Sequence, residues 1–125
     1  RVFIMAHHNN QHDQEMQQCI ENCLTCHSVC LQTVTHCLTK GGHHAEAAHI
    51  RLLLDCVEIC QISANFMLRS SDFHARTCGV CAEICQRCAD DCARFGDDQM
   101  MQQCAQICRR CAESCQRMAG MGVPA

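Results

Sequence analysis

Aromatic residues, proline and lysine are nearly missing from this chain. Of its 125 residues 3% are aromatic, none of them tryptophan or tyrosine, and there is one proline. A core anchored by aromatic side chains is therefore not expected. No apolar run approaches the roughly 18 residues that a transmembrane helix needs, and the apolar residues 2–5 are too few for the core of a signal peptide. We therefore expect no association with a membrane.

The charge pattern argues against a second class of partner. The net charge is -3, Lys40 is the only lysine, and the arginines are scattered among acidic residues. A nucleic-acid-binding surface needs a concentrated basic patch, which this pattern does not provide. No nucleophile–base pair or carboxylate dyad stands out, and the acidic pairs 90–91 and 97–98 are expected to be ordinary helix-end acids. We expect no nucleic-acid binding and no enzymatic activity.

Cysteine is abundant instead, with 16 residues or about an eighth of the chain, a level that indicates a disulfide or metal framework. From Cys78 to Cys92 the thiols recur at intervals of 3, 4, 3 and 4. This spacing is typical of a helix that presents one line of positions, here called a seam, to a bundle core. Four seams carry all the cysteines: Cys19, Cys23, Cys26, Cys30 and Cys37; Cys56 and Cys60; Cys78, Cys81, Cys85, Cys88 and Cys92; Cys104, Cys108, Cys111 and Cys115.

Capping signals divide the chain into four predicted helices. They cover residues 11–40, 45–68, 73–95 and 98–119, with boundaries set by Asn10, Gly41-Gly42, Ser70-Ser71-Asp72, Gly96 and Asp97. Connections of a few residues force neighbouring helices to run antiparallel. The sequence thus predicts an all-α fold, an up-down-up-down four-helix bundle with a cysteine-lined core over 10–120. Residues 1–9 form an N-terminal extension and 121–125 a C-terminal tail.

Extending each seam beyond its cysteines predicts two chemically different ends of the bundle. Alternating helix directions bring imidazoles and thioethers together at the first, here called the His/Met end: His12, Met16, Met67, His74 and Met118. These are expected to guide a soft metal ion into the core, although single Met or His residues also serve as packing groups. The second, here called the Phe95 end, is predicted to be more apolar and closed: Cys37, His49, Leu53, Phe95 and Met101.

The second predicted helix is apolar around most of its surface. Besides its seam it carries six aliphatic residues: Ile50, Leu52, Leu54, Val57, Ile59 and Ile62. A helix of this kind usually has a second burial partner, so we expect a homo-oligomer with this helix near the subunit contact. The alternative is that these residues only widen the core of one chain.

A core lined by thiolates favours Cu(I). Thiolate selects Cu(I), Zn(II) or iron–sulfur clusters, but zinc sites favour paired loop-borne ligands and clusters need four cysteines around one centre. Cu(I) accepts two or three thiolates and one thiolate can bridge two ions, which gives about one ion per cysteine, or roughly 16. One monovalent cation per thiolate also leaves the buried core neutral. We therefore expect multiple Cu(I) ions per chain.

Two other interpretations of the cysteines stay open. An even number in a short chain is typical of a disulfide scaffold, although thiols three or four residues apart on one helix point badly for bridging. A zinc-binding or redox-responsive structural protein, with a few divalent ions or reversible disulfides, is the alternative function. The histidines outside the seams, His7, His8, His27, His36, His43 and His44, are expected to be solvated surface residues.

The sequence resembles the cytosolic branch of the bacterial copper storage proteins. Three seams of Cys-x3-Cys-x2-Cys-x3-Cys type carry the resemblance: Cys19 to Cys30, Cys81 to Cys92, and Cys104 to Cys115. It implies a Cys-lined four-helix bundle that stores Cu(I) in the cytoplasm, with the seam cysteines as ligands, and assembles as a homotetramer. Copper would come from a chaperone or a small-molecule carrier. Thr33, Leu53 and Ser63 interrupt the seams, so copper should be sparser beside them.

Overall fold

Four long helices make up most of the described part of the chain. The computed structural model describes residues 10–121, which contain α1 (Asn10–Lys40), α2 (Ala47–Leu68), α3 (His74–Ala93) and α4 (Gln99–Met121). Each helix packs against two others, α1 against α2 and α4, and α3 against α2 and α4. Cys19, near the start of α1, lies 3.5 Å from Cys115, near the end of α4, so these neighbours run antiparallel. The predicted all-α four-helix bundle is confirmed.

The turn after α1 follows the glycine signal. Gly41 and Gly42 have φ values of 72° and 57°, a backbone region that side chains disfavour. The Gly41 N–H donates to the Cys37 carbonyl at 3.0 Å and so ends the helix. A short 3-10 turn, Gly42–Ala45, follows, and Glu46 is extended. For this reason α2 begins at Ala47, two residues later than predicted.

The other boundaries differ from the predictions by a few residues. The Ser71 hydroxyl accepts the Phe73 N–H at 3.1 Å before α3, which is two residues shorter than predicted at its end. Asp98, and not the predicted Asp97, caps α4, since its Oδ1 accepts the N–H groups of Met100 at 3.0 Å and Met101 at 3.3 Å. α4 continues two residues beyond 119. The predicted extension 1–9 and nearly all of the predicted tail lie outside the described residues.

The interior of the bundle is built from sulfur-bearing side chains. All sixteen cysteines are at most 1% exposed, and Leu53, Met67, Met101 and Met118 are buried with them. The two polar seam positions are buried as well. Thr33 donates to the Val29 carbonyl at 2.8 Å and Ser63 to the Thr77 carbonyl at 3.1 Å, so both hydroxyls are satisfied.

The aliphatic residues of α2 divide between core and surface. Val57 is buried, and Ile50, Leu52 and Ile59 are partly buried against the core. Leu54 and Ile62 are exposed. Packing within one chain therefore explains why four of the six residues are apolar. None of the helices within residues 10–121 combines the length and the apolar character that crossing a bilayer requires.

Candidate metal centre

The seams of all four helices converge on one column of sulfur atoms. All sixteen cysteines are free thiols. Cys26 Sγ lies 3.7 Å from the Sγ atoms of both Cys56 and Cys108, and Cys30 Sγ lies 3.5 Å from Cys108 Sγ. An S–S bond is about 2.05 Å long, so these contacts are thiol–thiol hydrogen bonds. The structure buries every predicted ligand cysteine in the core of the bundle.

The sulfur atoms form overlapping groups in which every Sγ lies within 4.8 Å of the others. The groups include Cys19, Cys78 and Cys115; Cys23, Cys81, Cys111 and Cys115; Cys60, Cys81, Cys85 and Cys111; Cys26, Cys56, Cys60 and Cys85; and Cys26, Cys30, Cys56 and Cys108. Each of them draws on at least two helices. Because neighbouring groups share members, a metal ion in one group has a ligand in common with an ion in the next.

The thiols near the two ends of the sulfur column have raised pKa values. Burial is the main reason why the pKa of Cys37 is raised to about 11. A hydrogen bond with Cys115 lowers the pKa of Cys78, but a hydrogen bond with Cys19 and burial outweigh this and raise it to about 12. Both side chains are therefore neutral thiols near pH 7, and a metal ion that binds them must displace their protons.

Within a four-sulfur group the thiols do not all behave alike. Hydrogen bonds with neighbouring thiols, above all with Cys108, lower the pKa of Cys26. Hydrogen bonds with Cys104 raise the pKa of both Cys30 and Cys108. Hydrogen bonds among the thiols thus make some members of a group easier to deprotonate than others, and those members lose their protons most readily to a soft cation.

The His/Met end contains a cavity of about 470 Å³ whose lining includes His12, Met16 and His74. His74 Nδ1–H donates to the Ser71 carbonyl at 2.9 Å, and its buried Nε2 has no hydrogen-bond partner among residues 10–121. In that tautomer Nε2 carries a free lone pair, which is the state of a metal-ligating histidine. The remaining two predicted residues of this end, Met67 and Met118, are buried.

The Phe95 end differs from the predicted apolar closure because it carries polar and soft donors. Cys37 Sγ lies 3.3 Å from His49 Nε2 and 3.6 Å from Met101 Sδ. His49 Nδ1–H donates to Asp91 Oδ2 at 2.5 Å, which turns Nε2 toward the Cys37 thiol. Leu53 is buried as predicted. Three soft donors from α1, α2 and α4 therefore meet here.

The acids at this end are more than ordinary helix-end charges. Burial raises the pKa of Asp91, whereas hydrogen bonds from His49 and Arg94 lower it. The hydrogen bonds have the larger combined effect, so the pKa of Asp91 lies below its usual value. Asp98 follows the same pattern, with its pKa lowered to about 2 by hydrogen bonds from His36, the Met101 N–H and His44. Both carboxylates are thus ionised at neutral pH.

Three histidines expected at the surface are partly buried and bonded. His36 and His44 bind Asp98, and His27 Nδ1–H donates to the Val57 carbonyl at 2.9 Å. Their partners lie on other elements, so no periodic pattern could indicate them. His43 is exposed as expected, with 86% of its side chain accessible. His7 and His8 lie outside the described residues.

Comparison with known proteins identifies the family that has this thiol-lined bundle. The model of the copper storage protein family matches residues 12–120. The chain belongs to the copper storage protein family. A structure of the Nmul_A1745 protein from Nitrosospira multiformis is 49% identical, with a TM-score of 0.82, and the match covers 87% of this chain and 98% of that one. Cu(I)-bound copper storage protein BsCsp3 is 35% identical, with a TM-score of 0.78 and coverage of 84% and 98%.

A third relative of this copper storage protein comes from Bacillus subtilis (strain 168), the uncharacterized cysteine-rich protein YhjQ. It is 36% identical over 61 residues, which is 49% of this chain. The matched segment spans 56% of that relative.

Proposed function

We propose that this member of the family stores Cu(I) reversibly and without catalysis, with thiolates of the sixteen seam cysteines as ligands. The overlapping four-sulfur groups are the observation that carries this function. A shared thiolate can bridge two Cu(I) ions, and about one ion per cysteine, or roughly 16 per chain, leaves the buried core neutral. The ligand set is Cys19, Cys23, Cys26, Cys30, Cys37, Cys56, Cys60, Cys78, Cys81, Cys85, Cys88, Cys92, Cys104, Cys108, Cys111 and Cys115.

An anaerobic titration of the reduced protein with Cu(I), in competition with a chromophoric chelator, tests the function. We expect saturation near one ion per cysteine, roughly 16, with unchanged helicity, because the helices are already formed around the thiols. A plateau at about three or four ions would contradict storage and favour the alternative of a zinc-type or redox-responsive protein. Thiol loss on mild oxidation together with a changed oligomer would also favour that alternative.

We assign His12, Met16, Met67, His74 and Met118 to the route by which copper reaches the core. The support is the cavity at the His/Met end and the free lone pair of His74 Nε2 beside it. Neutral imidazole and thioether bind Cu(I) more weakly than thiolate, so an ion held there passes inward to the sulfur column. Affinity then increases along the route.

Replacing His74 by alanine is expected to slow loading from a chelated Cu(I) donor while leaving the final capacity unchanged. The reason is that the substitution removes a transient ligand and no thiol. Stopped-flow absorbance of the Cu(I)–thiolate bands measures the rate. The matched control is His43→Ala, which removes an exposed histidine at the opposite end of the bundle. Equal loading rates for both variants and wild type would exclude His74 from the route.

At the Phe95 end we assign Cys37, His49 and Met101 to a mixed three-donor position for one Cu(I) ion. Their donor atoms meet at 3.3 and 3.6 Å from the Cys37 sulfur. Asp91 orients the imidazole, which is the role that carboxylates commonly have behind metal-bound histidines. This end is then the last member of the sulfur column and not an inert closure.

We also propose an oligomeric state, a cellular location and a source of copper for this protein. Leu24, Leu31 and Leu38 recur every seven residues on α1 and are exposed, as are Leu54 and Ile62 on α2. Apolar stripes on adjacent helices support a homo-oligomer, a tetramer by resemblance to the family. The same resemblance supports a cytoplasmic location and delivery of copper by a chaperone or a small-molecule carrier.

A further inference from the structure

A second group of donor atoms lies outside the sulfur column, at the Phe95 end. His36 Nε2 and His44 Nε2 both contact a single oxygen, Asp98 Oδ2, at 2.7 and 3.0 Å. The three residues come from α1, the 3-10 turn and the start of α4. Their side chains are 21%, 18% and 13% exposed, so solvent reaches the group from one side.

The three side chains are held in place by contacts on their far sides. Asp98 Oδ1 accepts two backbone N–H groups of α4, so the carboxylate cannot rotate without uncapping that helix. The ring of Phe95 lies 4.2 Å from the ring of His44, and the rings of His36 and His44 meet edge to face at 5.9 Å. The donor atoms are therefore preorganised without a ligand.

We propose that His36, His44 and Asp98 form a site for one Zn(II) ion. Two imidazole nitrogens and a carboxylate oxygen with an open fourth position are a common zinc set, and bond lengths of about 2.0–2.2 Å place tetrahedral ligands about 3.3 Å apart. To reach that separation from Asp98 Oδ2, His36 Nε2 needs to move by about 0.6 Å and His44 Nε2 by about 0.3 Å. When it binds the ion, each ring takes the neutral tautomer with its proton on Nδ1, which leaves the Nε2 lone pair free for the metal.

His44 and Asp98 also help to line a cavity of about 360 Å³. Water in this cavity can complete the tetrahedron, as in zinc sites with three protein ligands. Nitrogen and oxygen donors suit a divalent ion of borderline softness, whereas the thiolates select Cu(I). The site therefore uses none of the copper ligands. A bound ion would fasten α1, the 3-10 turn and α4 together beside the end of the sulfur column.

The test uses Cu(I)-loaded protein under anaerobic conditions, because occupied thiols no longer compete for zinc. Titration with Zn(II) against a chelator is expected to give one ion per chain, with only nitrogen and oxygen neighbours in zinc K-edge X-ray absorption. Asp98→Asn and His44→Gln are expected to weaken binding roughly tenfold or more. Asparagine still caps α4, so the first variant should fold. His43→Gln, in the same turn but 86% exposed, should bind as wild type does.

Absence of zinc from the loaded wild type, sulfur in its coordination shell, or equal binding by all variants would overturn the proposal. The copper content of the same samples is measured as well. A protein that carries its full load of Cu(I) but binds no zinc contradicts the zinc site and leaves copper storage intact. A second measurement on the same Cu(I)-loaded protein is nitrogen-15 NMR of the histidine rings during the titration with Zn(II). The Nε2 signals of His36 and His44 should shift while those of His43 stay, and unshifted signals would equally overturn the proposal.

Discussion

Replacing Cys26, Cys56, Cys60 and Cys85 together by alanine should lower the Cu(I) capacity by about four ions of roughly 16. These four thiols form one group, and each of them also belongs to a neighbouring group, so their loss interrupts the shared ligands in mid-column. Alanine is preferred to serine because a buried hydroxyl without a partner costs about 1–3 kcal/mol. Anaerobic Cu(I) titration of the folded variant, with copper counted per chain, measures the loss.

The opposite substitution, which adds a thiol to a seam, should raise the Cu(I) capacity. Ser63→Cys fills an interrupted seam position that is fully buried, and it should add about one ion. Thr33→Val is the control, since it changes a buried seam position without adding or removing sulfur. If capacity stayed constant across the alanine and cysteine variants, the seam thiols would not be the ligands.

Raising the pH from 8 to 10 should strongly destabilise the metal-free protein and leave the copper-loaded protein nearly unaffected. The pKa values of Cys37 and Cys78 are raised from 9.0 to about 11 and about 12 in the folded chain. Above pH 9 the unfolded chain has therefore lost protons that the folded chain retains. The contribution of these two thiols to the free energy of unfolding is fully present below pH 9. It is lost as the pH rises from 9 through the folded pKa values, by about 1.4 kcal/mol per pH unit for each thiol.

Urea unfolding followed by circular dichroism under anaerobic conditions measures this effect. In the copper-loaded protein the thiolates are already deprotonated and neutralised by Cu(I), so the same change of pH removes no proton from them. Equal free energies of unfolding at pH 8 and pH 10 for the metal-free protein would show that its buried thiols ionise as readily as in the unfolded chain, which would contradict the prediction.

The seams could be predicted from sequence because their information is local. The interval pattern from Cys78 to Cys92 lies within one helix, and the packing of four such helices follows from short connections. Gly41 and Gly42 likewise supply a left-handed backbone by their own chemistry. The exact cap of α4 could not be predicted, because Asp97 and Asp98 are equally good capping residues. Which of them caps depends on how the turn after α3 closes.

The Phe95 end shows why the rest of the site was missed. Asp98 binds His36 and His44 across 62 and 54 residues of chain, and Asp91 binds His49 across 42. None of these pairs falls on a helical repeat, so a scan for periodicity assigns them to the surface or to helix ends. Their association follows only from the lengths of the turns and the rotation of each helix about its axis. An end predicted as apolar is therefore rich in donors.

The most direct test of copper storage by the seam thiolates is an anomalous-scattering map of crystals loaded anaerobically with Cu(I). We expect a string of copper peaks along the bundle axis, most of them within bonding distance of two or three Sγ atoms from different helices. The number of peaks should approach the number of cysteines. Copper confined to surface histidines, or a single cluster of three or four ions with the rest of the sulfur column empty, would contradict the account.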